Sequence, residues 1–112
     1  MNNIRLIVQN LLPNNEFLFS LSASEIVEHI CVGVYEEETH VLRDKVILSS
    51  IPQLIRDCVL LIDFDTEINM NGIFGYLENS TGYFIEETIE VLERIGAVSD
   101  AIALNNIKRI LV

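Results

Sequence analysis

The sequence predicts an all-α protein, a single compact domain of about five or six helices, and three observations carry that prediction. Ser22 and Glu25 stand at capping-box spacing, where an N-cap hydroxyl and a carboxylate three residues on satisfy each other's orphan amides. The stretch YFIEETIEVLERIG places Ile85, Ile89 and Leu92 on one helical face, with Val91 and Ile95 at its flank. Glu86, Glu90, Glu93 and Arg94 fall on the opposite face. Half of the 112 residues are apolar, so a chain of this length can build a sizeable core.

Taken in order, NIRLIVQNLL (Asn3 to Leu12) predicts a short helix that stops before Pro13. NEFLFSL alternates weakly and is compatible with an extended segment. After Ser22, the apolar residues Ile26, Val27, Ile30 and Val34 recur at helical spacing. Glu36, Glu37 and Glu38 put negative charge at the negative end of that helix, which predicts fraying there. RDKVIL predicts another short turn of helix. Ser50 and Gln53 repeat the capping-box spacing, and Pro52 is tolerated in a first turn because its missing N–H costs nothing there. The segment Ile51 to Ile68 is apolar on every side between Cys58 and Ile62, which predicts a buried helix, with a buried strand at VLLI as the competing reading. Gly96 fits a C′ residue ending the amphipathic helix. Glu90 and Arg94 are spaced for an ion pair along it. AVSDAIALNNIKRIL predicts a last helix with Val98, Ile102, Ile107 and Leu111 as its apolar positions and Lys108 and Arg109 at its dipole-favoured end.

Charge narrows the function. Seventeen acidic residues against seven basic ones give a net charge of −10. Phosphates need a basic surface, so direct nucleic-acid binding is disfavoured and a basic protein partner is favoured. No uncharged run approaches the ~18–20 residues that span a bilayer, and MNNIRL lacks the basic start of a signal peptide. A cytoplasmic protein without membrane contact is the expectation. Cys31 and Cys58, in the apolar runs HICVGVY and RDCVLLI, are then expected to stay reduced and buried. A mean hydropathy of +0.37 is high for so short a chain and points to an oligomer interface, most simply that of a homodimer.

EINMNGIFGYLE raises the question of calcium. Counted from Glu67, side-chain oxygens fall at positions 1, 3, 5 and 12 (Glu67, Asn69, Asn71, Glu78), with Gly72 at position 6. Three points weigh against an EF-hand: Glu67 is one methylene too long for the first position, only two of the four side chains are charged, and no second loop pairs with it.

The same residues support a different assignment. Glu67-Ile68-Asn69, a turn at Gly72, the aromatics Phe74 and Tyr76, then Asn79-Ser80-Thr81-Gly82 and Ile95-Gly96-Ala97 follow one another without gaps from Asp63 to about Asn106. In this order they resemble the bacterial DNA-mimic-protein-like (DMP-like) family of domains of unknown function. Two departures stand out. Met70-Asn71-Gly72 replaces the family's Asn-Gly-Gly, and Tyr76 stands where a polar residue is common. Physically, Glu67, Asn69, Gly72, Asn79 and Gly82 read as a structural joint. Glu67 and Asn69 would bond the turn and the NSTG loop, while Asn79, Ser80 and Thr81 would cap a helix beginning near Tyr83.

Other chemistry is sparse. Asp63 and Glu67 lie one helical turn apart and with Asp65 make three carboxylates in five residues, which admits a carboxylate-based metal-dependent enzyme as the lowest-ranked reading. A solvated helix end is the plainer account. His29 and His40 match no zinc spacing, and no nucleophile elbow or phosphate loop occurs. We therefore expect no catalytic residues, no metal and no cofactor. The resemblance implies instead that the protein could imitate duplex DNA and occupy a DNA-binding protein. The acidic face expected to do so comprises Glu86, Glu87, Glu90 and Glu93, supplemented by Asp63 and Asp65. An immunity- or antitoxin-type inhibitor of a basic protein is the alternative.

Overall fold

All regular structure in the computed structural model, which describes residues 2–13, 21–78 and 80–111, is helical. The elements are α1 (Asn2–Leu11), α2 (Ala23–Gly33), α3 (Lys45–Ser50), α4 (Gln53–Glu78), α5 (Ile85–Arg94) and α6 (Val98–Leu111), with 3-10 segments at Glu37–Arg43 and Ser80–Phe84. The protein is all-α, and VLLI lies inside α4. The weakly alternating NEFLFS stretch falls outside the described residues. Contacts divide the chain into two units, residues 1–59 and 60–112.

In the first unit α1 meets α2 and the Glu37–Arg43 segment, which also meets α3. The capping box forms as its spacing requires: the Ser22 amide donates to Glu25 Oε1 at 3.0 Å and the Glu25 amide to Ser22 Oγ at 3.2 Å. Hydrogen bonds to the carboxylate from the Ser22 amide first, and then from the Ser22 side chain, hold the Glu25 carboxyl below its ordinary value. Ile30 and Val34 are fully buried, whereas Val27 is exposed. α2 stops at Gly33, and the acids that would have faced its negative end instead open the next segment, with Glu37 and Glu38 in the first turn. Their sign thus becomes favourable. Arg43 then reaches back: its Nη2 donates to the Val34 carbonyl at 3.0 Å and its Nη1 to the Thr39 carbonyl at 3.0 Å. The buried Thr39 hydroxyl donates within the same knot, 2.8 Å from the Val34 carbonyl.

The second expected capping box does not form. Ser50 is the last residue of α3, and its hydroxyl donates to the Ile47 carbonyl at 2.7 Å. Asp44 is the cap that starts α3, accepting from the Val46 and Ile47 amides. Pro52 holds Ile51 extended (φ −86°, ψ 163°), as the residue before a proline prefers, and the Pro52 carbonyl accepts the first bond of α4 from Arg56. The stretch between Cys58 and Ile62 is enclosed only in part. Cys58, Val59 and Leu60 are buried, while Leu61 and Ile62 are half-buried.

The second unit is organised around Tyr76, Ile89, Leu92, Ala101 and Leu104, with Phe64, Ile68 and Ile85 packed against them. α5 follows its predicted stripe and closes with the 6→1 and 5→2 bonds of a Schellman motif, Ala97 to Leu92 and Gly96 to Glu93. α6 presents a different face from the expected one. Ala101 and Leu104 are buried, whereas Val98 and Ile102 are each 56 % exposed. The small Ala101 lets the helix sit close, and the bulkier branched residues are turned outward.

Candidate functional site

The acidic residues expected to form the face lie in the second unit, on α5 and on the part of α4 that follows Val59. On α5, opposite the buried stripe, Glu86, Glu90 and Glu93 are exposed and Glu87 is half-buried. Helical rise sets neighbours in this row roughly 5–6 Å apart. The row is not uniform: Glu86 Oε1 accepts an ion pair from Lys108 Nζ of α6 at 2.9 Å, so one of its charges is compensated within the protein. On α4, Asp65 is exposed and Asp63 half-buried.

Tyr76 links the two helices. It is 1 % exposed, and its ring meets Phe64 edge-on at 5.2 Å between centroids. Its hydroxyl donates to the buried Thr88 Oγ1 at 3.3 Å. Burial raises the phenol above its ordinary pKa, opposed by the Thr88 bond, and the Glu87 and Asp63 carboxylates raise it further. Glu87 of α5 and Asp63 of α4 are therefore both within electrostatic reach of one buried hydroxyl. The residue that departs from the family's polar position is a keystone of the core.

The joint has a sharp geometry. Gly72 takes φ 70° and ψ −175° inside α4, a break that a side chain disfavours. Upstream of it Asn69 donates to the Asp65 carbonyl at 2.8 Å and Asn71 to Glu67 Oε1 at 3.0 Å. Both bonds run along the helix, one turn away. Asn79 lies outside the described residues. α5 is capped by Phe84 without a side-chain bond, in place of the expected Asn, Ser or Thr cap, because the 3-10 segment intervenes. Gly82 sits where a Cβ would come within 2.7 Å of the Leu77 carbonyl, so close backbone approach sets its identity. EINMNGIFGYLE is helical on both sides of Gly72, which is incompatible with the wrapped backbone of an EF-hand loop.

Three further features bear on function. Among the described residues no group of three His, Cys, Asp or Glu side chains comes together to hold a metal, and no helix is long and apolar enough to cross a membrane. An open depression of about 490 Å³ in the first unit is lined by Asn10, Glu28 and His29 among others, and its Glu25 is engaged by Ser22. Met70, Phe74 and Tyr83 are each 75 % exposed in the second unit. Sequence patterning marked Phe74 only as a motif aromatic. Nothing in the order of residues distinguishes it from the buried Tyr76 two places on.

Comparison with known families matches residues 49–111 to the one described as DMP19-like protein, more than half of the chain. No curated protein and no solved structure gives a significant match.

Proposed function

The chain belongs to the DMP19-like protein family, and from that membership we propose a non-enzymatic, cytoplasmic interaction protein that presents its α5 carboxylates to a basic partner. In its sharpest form the reading is DNA mimicry, in which the acidic face occupies a DNA-binding protein. The observation that carries it is the exposed row Glu90 and Glu93, continued by Glu86, on a helix whose other face is buried. Duplex DNA carries about one charge per 1.7 Å of axis, several-fold denser than this row. A homodimer would double it, and the exposed Ile95, Val98 and Ile102 offer an apolar face for a second copy.

One observation favours the alternative, an immunity- or antitoxin-type inhibitor. Met70 and Phe74 stand out from a strongly acidic chain. Apolar anchors of that kind concentrate binding energy in protein–protein contacts, and a phosphate-backbone mimic has no use for them. One experiment separates the two. The partner is captured on the tagged protein from its native lysate and released by graded salt. Mimicry requires that duplex DNA compete for the partner and that the combined Glu86→Gln, Glu90→Gln, Glu93→Gln variant lose it with its circular dichroism unchanged. Retention by that variant at 1 M salt, where the Debye length is ~3 Å, would exclude an electrostatic contact.

A further inference from the structure

α5 and α6 pack on each other across the short turn at Gly96, and the first turn of α5 lies beside the last turn of α6. Glu86 belongs to that first turn and Lys108 to that last one. Each charge suits the helix end that carries it, an acid at the positive end of α5 and a base at the negative end of α6. Lys108 Nζ meets Glu86 Oε1 at 2.9 Å, in a pair that water still reaches: the Glu86 side chain is 67 % exposed and that of Lys108 33 %. Glu90 and Glu93 are exposed farther along the same face. The first carboxylate of the row therefore already holds the kind of ion a basic protein would bring to it.

We propose that Lys108 is a built-in competitor for the acidic face of α5, which a cationic partner must displace from Glu86 before it can use the whole row. This role rests on the reading of α5 as a partner-binding face, and it adds the cation that face selects. A lysine offered by a partner gains nothing at Glu86, because it exchanges one ammonium for another. An arginine does gain. Its planar fork donates two parallel hydrogen bonds to a carboxylate, and its guanidinium gives up water more readily than an ammonium does. The row is thus graded: lysine and arginine alike reach Glu90 and Glu93, while Glu86 opens to arginine. Displacing an exposed pair costs affinity by a factor of about 1.5 to 5, enough to tune the choice of partner without closing the face.

The test titrates the full-length protein with oligoarginine and oligolysine peptides of equal length, by calorimetry at one fixed low salt. Arg109, exposed at the next position of α6, supplies the control for net charge. Lys108→Gln should tighten both peptides by about 1.5- to 5-fold more than Arg109→Gln does, although each variant removes one positive charge. Glu86→Gln should cost oligolysine little in the wild type and should cost it that same factor in the Lys108→Gln background. Lys108→Met, which keeps the aliphatic stem, replaces Lys108→Gln if circular dichroism shows a loss of helix. Equal effects of Lys108→Gln and Arg109→Gln would overturn the proposal, since net charge alone would then account for them. So would a Glu86→Gln loss of the same size in both backgrounds, because the two side chains would not be coupled in binding. The combined Glu86→Gln, Glu90→Gln, Glu93→Gln variant tells the two failures apart. If it binds both peptides as the wild type does, the α5 reading falls and the competitor role with it. If it loses them while Lys108→Gln matches Arg109→Gln, the row stands and only the role of Lys108 is lost.

Discussion

α5 and α6 pack on each other in the same unit, yet they treat water in opposite ways. α5 separates its residues cleanly: Ile89, Val91 and Leu92 are buried, while Glu86, Glu90 and Glu93 are exposed. α6 buries the small Ala101 and Leu104 and exposes the branched Val98 and Ile102. The outward face of α5 is charged, whereas the outer side of α6 carries exposed Val98, Ile102 and Ile110 among polar residues such as Asp100 and Arg109. A partner recognised through α5 would be salt-sensitive, whereas one recognised through α6 would not. The difference is a physical reason to expect two contacts from this unit, charge toward a basic protein and apolar surface toward a second copy.

The contrast breaks most severely at the buried residues both helices share. Leu104→Ala should destabilise the protein by about 2–5 kcal/mol, since a buried leucine leaves a cavity, and Leu92→Ala should do the same. Chemical denaturation would show it. Tyr76→Phe comes next, at about 1–3 kcal/mol, because it strands the buried Thr88 hydroxyl. Its pH dependence sharpens the point. The folded pKa of Tyr76 is raised above 10.0, so the unfolded chain releases that proton first. The stability that neutral Tyr76 provides is complete below pH 10 and is lost as pH climbs toward the folded value. The gap between wild type and Tyr76→Phe should therefore narrow above pH 10.

Smaller effects test the outer faces. Lys108→Gln removes the partner of Glu86, an exposed pair worth about 0.2–1 kcal/mol, and the loss should fade in high salt. Ile102→Asn should change monomer stability by about 0.5 kcal/mol or less. Its effect should appear instead in sedimentation, as a smaller dimer fraction. If Ile102→Asn unfolds the chain, the outer face of α6 is core and the contrast with α5 disappears.

Much of the helical layout was legible because local chemistry decided it. The Ser22 and Glu25 box, the α5 stripe and the stop at Gly96 are interactions among residues three to five apart. The same spacing at Ser50 and Gln53 misled, since Pro52 fixes an extended Ile51 and Ser50 is already committed to α3. α6 misled for a different reason: hydrophobicity ranks Ile102 above Ala101, but close helix packing selects the smaller side chain. The acidic face was readable from the α5 period, while the pairing of Glu86 with Lys108, 22 positions on, was not.

The Arg43 knot carries one more implication, for the order of folding. It ties Val34, Thr39 and Arg43 within nine positions of one another. Closing a ten-residue loop takes roughly 10–100 ns, whereas contacts between distant segments must first overcome a larger loss of chain entropy. The end of α2 is thus a place where native geometry can be present early. Among kinetic measurements, substitutions at Thr39 should slow folding in proportion to the stability they remove, with little change in the rate of unfolding.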